Sequence, residues 1–180
     1  NPSSTVYTGY AVSSEWEAVN NLQVGGRNLL LNTNRKIENN SYPIAVFNLG
    51  NDKPQEGETV TIAFKGQLGD NKERFALYNS GGQVEITSIT SSDKGTDGIY
   101  RKTFNWKILT ASNTTLYIYP IPNTITTTSW IEDVMLVRGN KISYYAKAPE
   151  DVQAEIDAAQ TTAGEALSKA NKSAAITDKF

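Results

Sequence analysis

Thr59-Val60-Thr61-Ile62-Ala63-Phe64-Lys65 alternates without a break. Val60, Ile62 and Phe64 share one parity, and Thr61, Ala63 and Lys65 the other. Side chains of a strand point to opposite faces with period two, so this stretch predicts a strand with one face on a core. Working outward, Arg74 to Tyr78 repeats the pattern with Phe75 and Leu77 inward. Val84, Ile86 and Ile89 mark a further strand after the Gly81-Gly82 turn. Tyr100, Lys102, Phe104 and Trp106 share a face, and Leu116-Tyr117-Ile118-Tyr119 alternates up to Pro120 and Pro122. Trp130 to Val137 is apolar on both parities, as expected of a central strand. On the N-terminal side, Asn28-Leu29-Leu30-Leu31 is a short apolar strand candidate. Tyr42 to Leu49 is another, with Pro43 placing its start at a sheet edge. About eight strands with frequent turn signals predict an antiparallel β-sandwich of jelly-roll type over residues 27–148. The 14 Ser, 19 Thr and 17 Asn fit strands and turns.

The two ends differ. Residues 1–26 read as a connector, with a short strand around Tyr7, a helical turn opened by Ser14, and Gly25-Gly26 as punctuation. Trp16 in this connector is a candidate contact for a neighbouring chain. The chain starts at Asn1 rather than Met and is expected to belong to a longer polypeptide. Residues 149–180 turn helical: Pro149, Glu150 and Asp151 suit a helix N-terminus. Val152, Ile156, Ala159, Ala163, Ala166 and Ala170 are spaced 4, 3, 4, 3, 4, the seam of a coiled coil. An Ala-rich seam containing Gly164 is weak and makes sense if copies associate, as a trimeric stem; the alternative is a polar linker.

Composition removes several chemistries. The 180 residues include no Cys and no His, so thiolate sites, Cys nucleophiles and the Ser-His-Asp triad are absent. The formal net charge is −2, which argues against a nucleic-acid binder driven by counterion release. No apolar run is long enough to span a membrane. Adjacent Glu132 and Asp133 face opposite sides of a strand and cannot act as a glycosidase pair by themselves. No nucleophile elbow, P-loop or dinucleotide fingerprint occurs, so a non-enzymatic role is expected.

Aromatic residues on the non-core parity carry more information. Tyr78 opposes Phe75 and Leu77, and Tyr117 and Tyr119 oppose Leu116 and Ile118. Arg74 shares the face of Tyr78, Lys65 opposes the Val60-Ile62-Phe64 face, and Arg101 opposes Phe104. Rings flanked by planar and charged polar groups suit a saccharide, whose apolar face packs on a ring while its hydroxyls take directed hydrogen bonds. The alternative is that the tyrosines cover a sheet and keep their hydroxyls at the rim. Trp106 shares parity with Phe104 and reads as core; Trp130 opens a strand and is placed to seal one end of the sandwich. Asp133, if it lies beside the Asn28 segment, is a candidate calcium ligand with backbone carbonyls, against a simple solvated carboxylate. No other cofactor is implied.

Gly25-Gly26-Arg27-Asn28-Leu29-Leu30-Leu31-Asn32-Thr33 resembles the opening of carbohydrate-binding-type jelly-roll modules in tail fibre, baseplate and tail-tip proteins of phages infecting Gram-positive bacteria. Trp130-Ile131-Glu132-Asp133-Val134-Met135-Leu136-Val137-Arg138-Gly139-Asn140-Lys141, followed by Ala148-Pro149-Glu150-Asp151, resembles their closing strand and exit. Gly57-Glu58-Thr59-Val60-Thr61-Ile62-Ala63-Phe64 is similar to their second characteristic strand. The resemblance spans roughly residues 25–151 and departs at Ser143-Tyr144-Tyr145-Ala146-Lys147, where the family has an Asp-Trp-like step. It implies a virion tail protein at the host surface. Its partners would be host cell-wall or capsular polysaccharide and other tail proteins; modules of this kind also serve as structural spacers. It supplies no ligand residues, so the tyrosine-face candidates rest on parity alone.

Overall fold

The computed structural model describes residues 26–79, 85–108 and 112–178. The expected elements around Tyr7, Ser14 and Trp16, the Gly81-Gly82 turn and Val84 lie outside the described residues. Among the described residues eight strands follow in order: β1 (Lys36–Asn39), β2 (Ala45–Asn48), β3 (Thr59–Gln67), β4 (Arg74–Asn79), β5 (Thr87–Thr90), β6 (Ile99–Asn105), β7 (Thr115–Ile121) and β8 (Ser129–Arg138). A short 3-10 turn (Ser91–Asp93) follows β5, and an α-helix, α1 (Pro149–Thr177), follows β8. The strands form two four-stranded sheets, ordered β1-β8-β3-β6 and β2-β7-β4-β5, with antiparallel pairing throughout. The chain is therefore mostly β, a two-sheet sandwich with a C-terminal helix.

The core lies where alternation places it. Val60, Ile62 and Phe64 of β3 are 0%, 0% and 1% exposed. Phe64 meets Phe75 of the opposite sheet edge-on, with ring centroids 5.3 Å apart, and stacks on Tyr100 at 5.2 Å. Leu77, Ile89, Leu116, Ile118, Ile131 and Leu136 fill the same core from both sheets. Trp106 is fully buried just past the end of β6. Trp130 is half-buried, with Lys36 Nζ 4.8 Å above its ring.

One strand expectation needs correction, and one strand was not expected. Asn28–Leu31 is not a strand; it makes a single bridge, between Leu30 and Leu49. Leu29 N–H bonds Leu136 O of one sheet, and Leu31 N–H bonds Asn48 O of the other. The segment thus crosses the open end of the sandwich and cannot follow one ladder. The first strand is instead Lys36–Asn39, which pairs with β8 from Lys36↔Glu132 to Asn39↔Ser129. Its polar sequence carries no apolar alternation, and the neighbouring backbone makes it a strand.

β3 and β8 slip register between Ala63 and Lys65, a β-bulge that puts Asp133 at φ 53°. Bulges redirect side chains and break pairing locally. The outer face of this sheet is covered: Thr61, Ala63, Met135 and Val137 are all buried, although their parity points away from the core. Residues 139–148 return across it, with Thr61 Oγ1 donating to Gly139 O at 2.8 Å and the Tyr145 hydroxyl 3.1 Å from Thr33 Oγ1.

The helix is tied to the sandwich at its first turn. Pro149 occupies the position where a missing N–H costs nothing. Asp151 Oδ2 accepts Asn32 N–H at 2.8 Å, and Glu150 Oε1 accepts Asn51 N–H at 3.1 Å and pairs with Arg27. Glu150 sits so close to Gly50 that a Cβ there would lie 2.6 Å from its Oε1, so any side chain at this position would push the Glu150 carboxylate aside. From Val152 to Asp178 every residue is exposed. A helix of 29 residues extends about 43 Å at 1.5 Å per residue.

Candidate functional site

The candidate residues fall on the outer faces of the two different sheets. On β2-β7-β4-β5, Tyr117 of β7 lies opposite Tyr78 of β4, and Tyr119 lies opposite Ala76. Tyr119 is the hub of the rings. Its centroid is 5.1 Å from Tyr78 in a T-shaped contact, 6.0 Å from Tyr117 in a stacked one, and 4.5 Å from Tyr42. Tyr42, 40% exposed, comes from the turn before β2. The sequence reading starts a strand at Tyr42, but β2 begins only at Ala45, so strand parity does not apply to Tyr42 and it was not among the candidates. Ala76, opposite Tyr119, is fully buried, and Tyr78, Tyr117 and Tyr119 are half-buried, so the rings cover a small residue and keep only part of their surface accessible.

Arg74 borders this face and grips Glu85 through Nε and Nη2, at 3.1 and 3.0 Å. Burial raises the Glu85 carboxyl, but the bonds from Arg74 and Ser88 outweigh it and hold the group below its ordinary value. Burial, with neighbouring phenols adding to it, pushes the Tyr119 hydroxyl up; Tyr42 is raised in the same way. The Tyr42 and Tyr119 hydroxyls therefore stay protonated near neutrality, and each can both donate and accept.

Lys65 and Arg101 stand on the other sheet. They line a groove of about 600 Å³ between β3, β6, β8 and residues 142–145. Lys65 Nζ is 3.1 Å from Asp133 Oδ2, and Arg101 binds Asp97 with both terminal nitrogens at 3.2 and 2.8 Å. The hydrogen bond to Asp133 raises the Lys65 ammonium, and the bond from Arg101 lowers the Asp97 carboxyl. Ala63 and Met135 form a buried floor, and Tyr144 at the edge is 95% exposed. One platform combining Tyr78, Tyr117 and Tyr119 with Lys65 and Arg101 is thus not formed. Strand parity reports which face of its own sheet a residue takes, never which sheet the strand joins.

Asp133 does neighbour the Asn28 segment, since Asn28 Nδ2 donates to Val134 O at 3.1 Å. Its carboxylate faces Lys65, and among the described residues no cluster of three or more Asp, Glu, His or Cys side chains is arranged to hold a metal ion. Val152, Ile156, Ala159, Ala163, Ala166 and Ala170 lie along α1 and are all exposed. Among the described residues no helix is long and apolar enough to cross a membrane.

No family model matches the chain, and no curated protein matches it. Among solved structures it is similar to the tripod (BppUct-A-L) from the baseplate of bacteriophage Tuc2009. The likeness has 11% sequence identity, covers 71% of this chain and 61% of that one, and has a TM-score of 0.36. The chain therefore spans less than two thirds of that relative's length.

Proposed function

We propose that this chain is a non-catalytic saccharide-binding module of a phage tail adhesion device, contributing to attachment to host cell-wall or capsular polysaccharide. The observation that carries the binding is the outward-facing cluster of exposed Tyr42 and half-buried Tyr78 and Tyr117, whose rings lie 4.5–6.0 Å from that of half-buried Tyr119. Contiguous rings supply apolar area at low entropic cost, and their hydroxyls supply polar direction. The strand orders given above support reading the sandwich as a jelly roll. The placement in a phage tail rests on the resemblance of the opening and closing segments. Their contact through Asn28, Val134 and Leu136 accounts for why both belong to one module.

A non-catalytic role is supported by the absence of His and Cys and by the pairing of Asp97 and Asp133 with cations. The uncovered seam of α1 supports association of three copies through the helix. Single sugar contacts are weak, and three linked modules multiply them. The test is retention of the chain on purified host walls with and without their polysaccharide. Retention that requires the polysaccharide and is lost in Tyr117→Ala/Tyr119→Ala supports the reading; no retention by the assembled form overturns it.

The exposed Val46, 41% accessible on the strand beside Tyr117, favours a second reading in which this face docks another virion protein. In particles carrying the same double substitution, failed tail assembly identifies docking. Intact particles that no longer adsorb identify saccharide binding.

A further inference from the structure

Resting on the saccharide-binding reading above, we propose that the groove between β3, β6, β8 and residues 142–145 is a second saccharide site, selective for an uncharged sugar ring. Its volume of about 600 Å³ is that of a small-molecule site. Two cations and two carboxylates line it, and they pair with each other: Lys65 with Asp133 at 3.1 Å and Arg101 with Asp97 at 2.8 Å. The lining charges cancel, so neither an anionic nor a cationic polymer gains from them. What remains is a row of alternating donors and acceptors. A pair of adjacent sugar hydroxyls matches such a row, because each hydroxyl donates to a carboxylate and accepts from an ammonium or guanidinium.

The floor complements the other half of a sugar. Ala63 and Met135 are buried at 9% and 2%, with Ile99 and Ile142 beside them, giving an apolar surface for C–H groups. Tyr144 presents its ring at the edge with 95% exposure, the position of a residue that would cover a bound ring from one side. Asp133 supplies an independent sign. It holds φ 53° in the β3–β8 bulge, and the bulged backbone directs its carboxylate to Lys65. Asp is one of the few non-glycine residues that takes this conformation readily, and a bulge re-aims the side chain it carries, as happens next to binding sites. The groove lies on one sheet and the tyrosine face on the other, so one module can hold two chains of a wall polymer or two units of one.

The test uses the full chain and amide NMR, with host wall polysaccharide separated into uncharged and anionic fractions as probes. The uncharged fraction is expected to shift amides around Lys65, Arg101 and Tyr144 as well as those of the tyrosine face. Tyr144→Ala and Asp133→Asn should each weaken the groove response about tenfold, the loss of roughly one ring or charged contact. Tyr117→Ala/Tyr119→Ala should leave the groove response intact. Tyr144 is exposed, so its variant should unfold at the parental temperature, which separates lost binding from lost structure. Shifts confined to the tyrosine face, unchanged by Tyr144→Ala, overturn the groove and leave the saccharide reading standing. Groove shifts caused by the anionic fraction alone overturn its selectivity. Absence of shifts with either fraction at both faces overturns the saccharide reading and the groove with it.

Discussion

Asn28 Oδ1 accepts the backbone N–H of Leu136 at 3.1 Å, a fully buried contact between residues 108 positions apart. The same oxygen takes Leu30 N–H, while Nδ2 faces Thr33 Oγ1, Val134 O and Ala146 O, each at 3.1 Å. One side chain thereby ties the crossing segment, the last strand and the return segment together. Asn28→Ala leaves buried donors and acceptors unmatched, and should cost about 3 kcal/mol. Asn28→Asp should also be costly, because a carboxylate cannot donate to Val134 O or Ala146 O. Urea unfolding measures both; a cost for Asn28→Ala below about 0.5 kcal/mol would show that the hub carries no stability.

Acid should weaken the joints around the helix and the tyrosine face. The hydrogen bond from Arg138, at 2.6 Å, holds the Asp52 carboxyl below its ordinary value. At Glu150 burial acts upward, but its own and Asn51 backbone N–H groups together with Arg27 bring the carboxyl down; Glu85 is lowered by Arg74 and Ser88 against its burial. A carboxyl whose folded value is depressed stabilises the fold fully above its unfolded value, and that contribution disappears as pH falls through the folded value. The melting temperature should stay level from neutrality to about pH 5 and drop below about pH 4. Glu150→Gln should flatten part of that drop. A thermal melt series in pH tests both statements, and a melting temperature that rises on acidification contradicts them.

Trp106 is fully buried, and its Nε1–H donates to Asn113 Oδ1 at 3.0 Å. Asn79 Nδ2 shares that oxygen at 2.9 Å, and Asn113 Nδ2 donates to Pro54 O at 2.8 Å. Asn113→Ala therefore removes the partner of several polar groups at once and should cost about 2 kcal/mol. In combination with Trp106→Phe the cost should be less than additive, since both remove the same bond. A double-mutant cycle in urea reads the coupling, and strict additivity would contradict a shared bond.

Gly164 sits mid-helix in α1 with open space around it. Gly164→Ala should stabilise the helix by about 1 kcal/mol and raise its circular dichroism signal without altering the sandwich. If copies associate through the seam, amide exchange from Val152 onward should slow with rising concentration, and Ile156→Asp should abolish that dependence. Exchange that stays fast at every concentration would identify α1 as a solitary helix.

Strand identity was legible wherever burial on one face forced alternation. Thr59–Lys65, Arg74–Tyr78 and Leu116–Tyr119 each lie within a strand of the expected parity. Lys36–Asn39 escaped because an edge strand with both faces partly wet needs no apolar alternation. Asn28–Leu31 looked like a strand because its leucines are buried, yet they are buried by bridging two sheets. Of the candidate site, the outward placement of Tyr78, Tyr117 and Tyr119 was readable, whereas Tyr42, Asp97 and Tyr144 were not. Those three come from turns and a return segment, where no periodicity assigns a face.

The amino-acid order by itself determined local matters: which residues alternate, which turn, where Pro149 opens a helix, and which side of its strand each tyrosine takes. These follow from backbone geometry and burial within a few residues. The tertiary structure alone decided which strands share a sheet. It thereby brought Tyr117 and Tyr119 beside the strand of Arg74 and Tyr78, and set Lys65 with Arg101 across the sandwich, in a groove with Asp97 and Asp133. Strand order and the bulge at Asp133 arise from pairing between segments far apart in the chain, and no short window of sequence contains both partners.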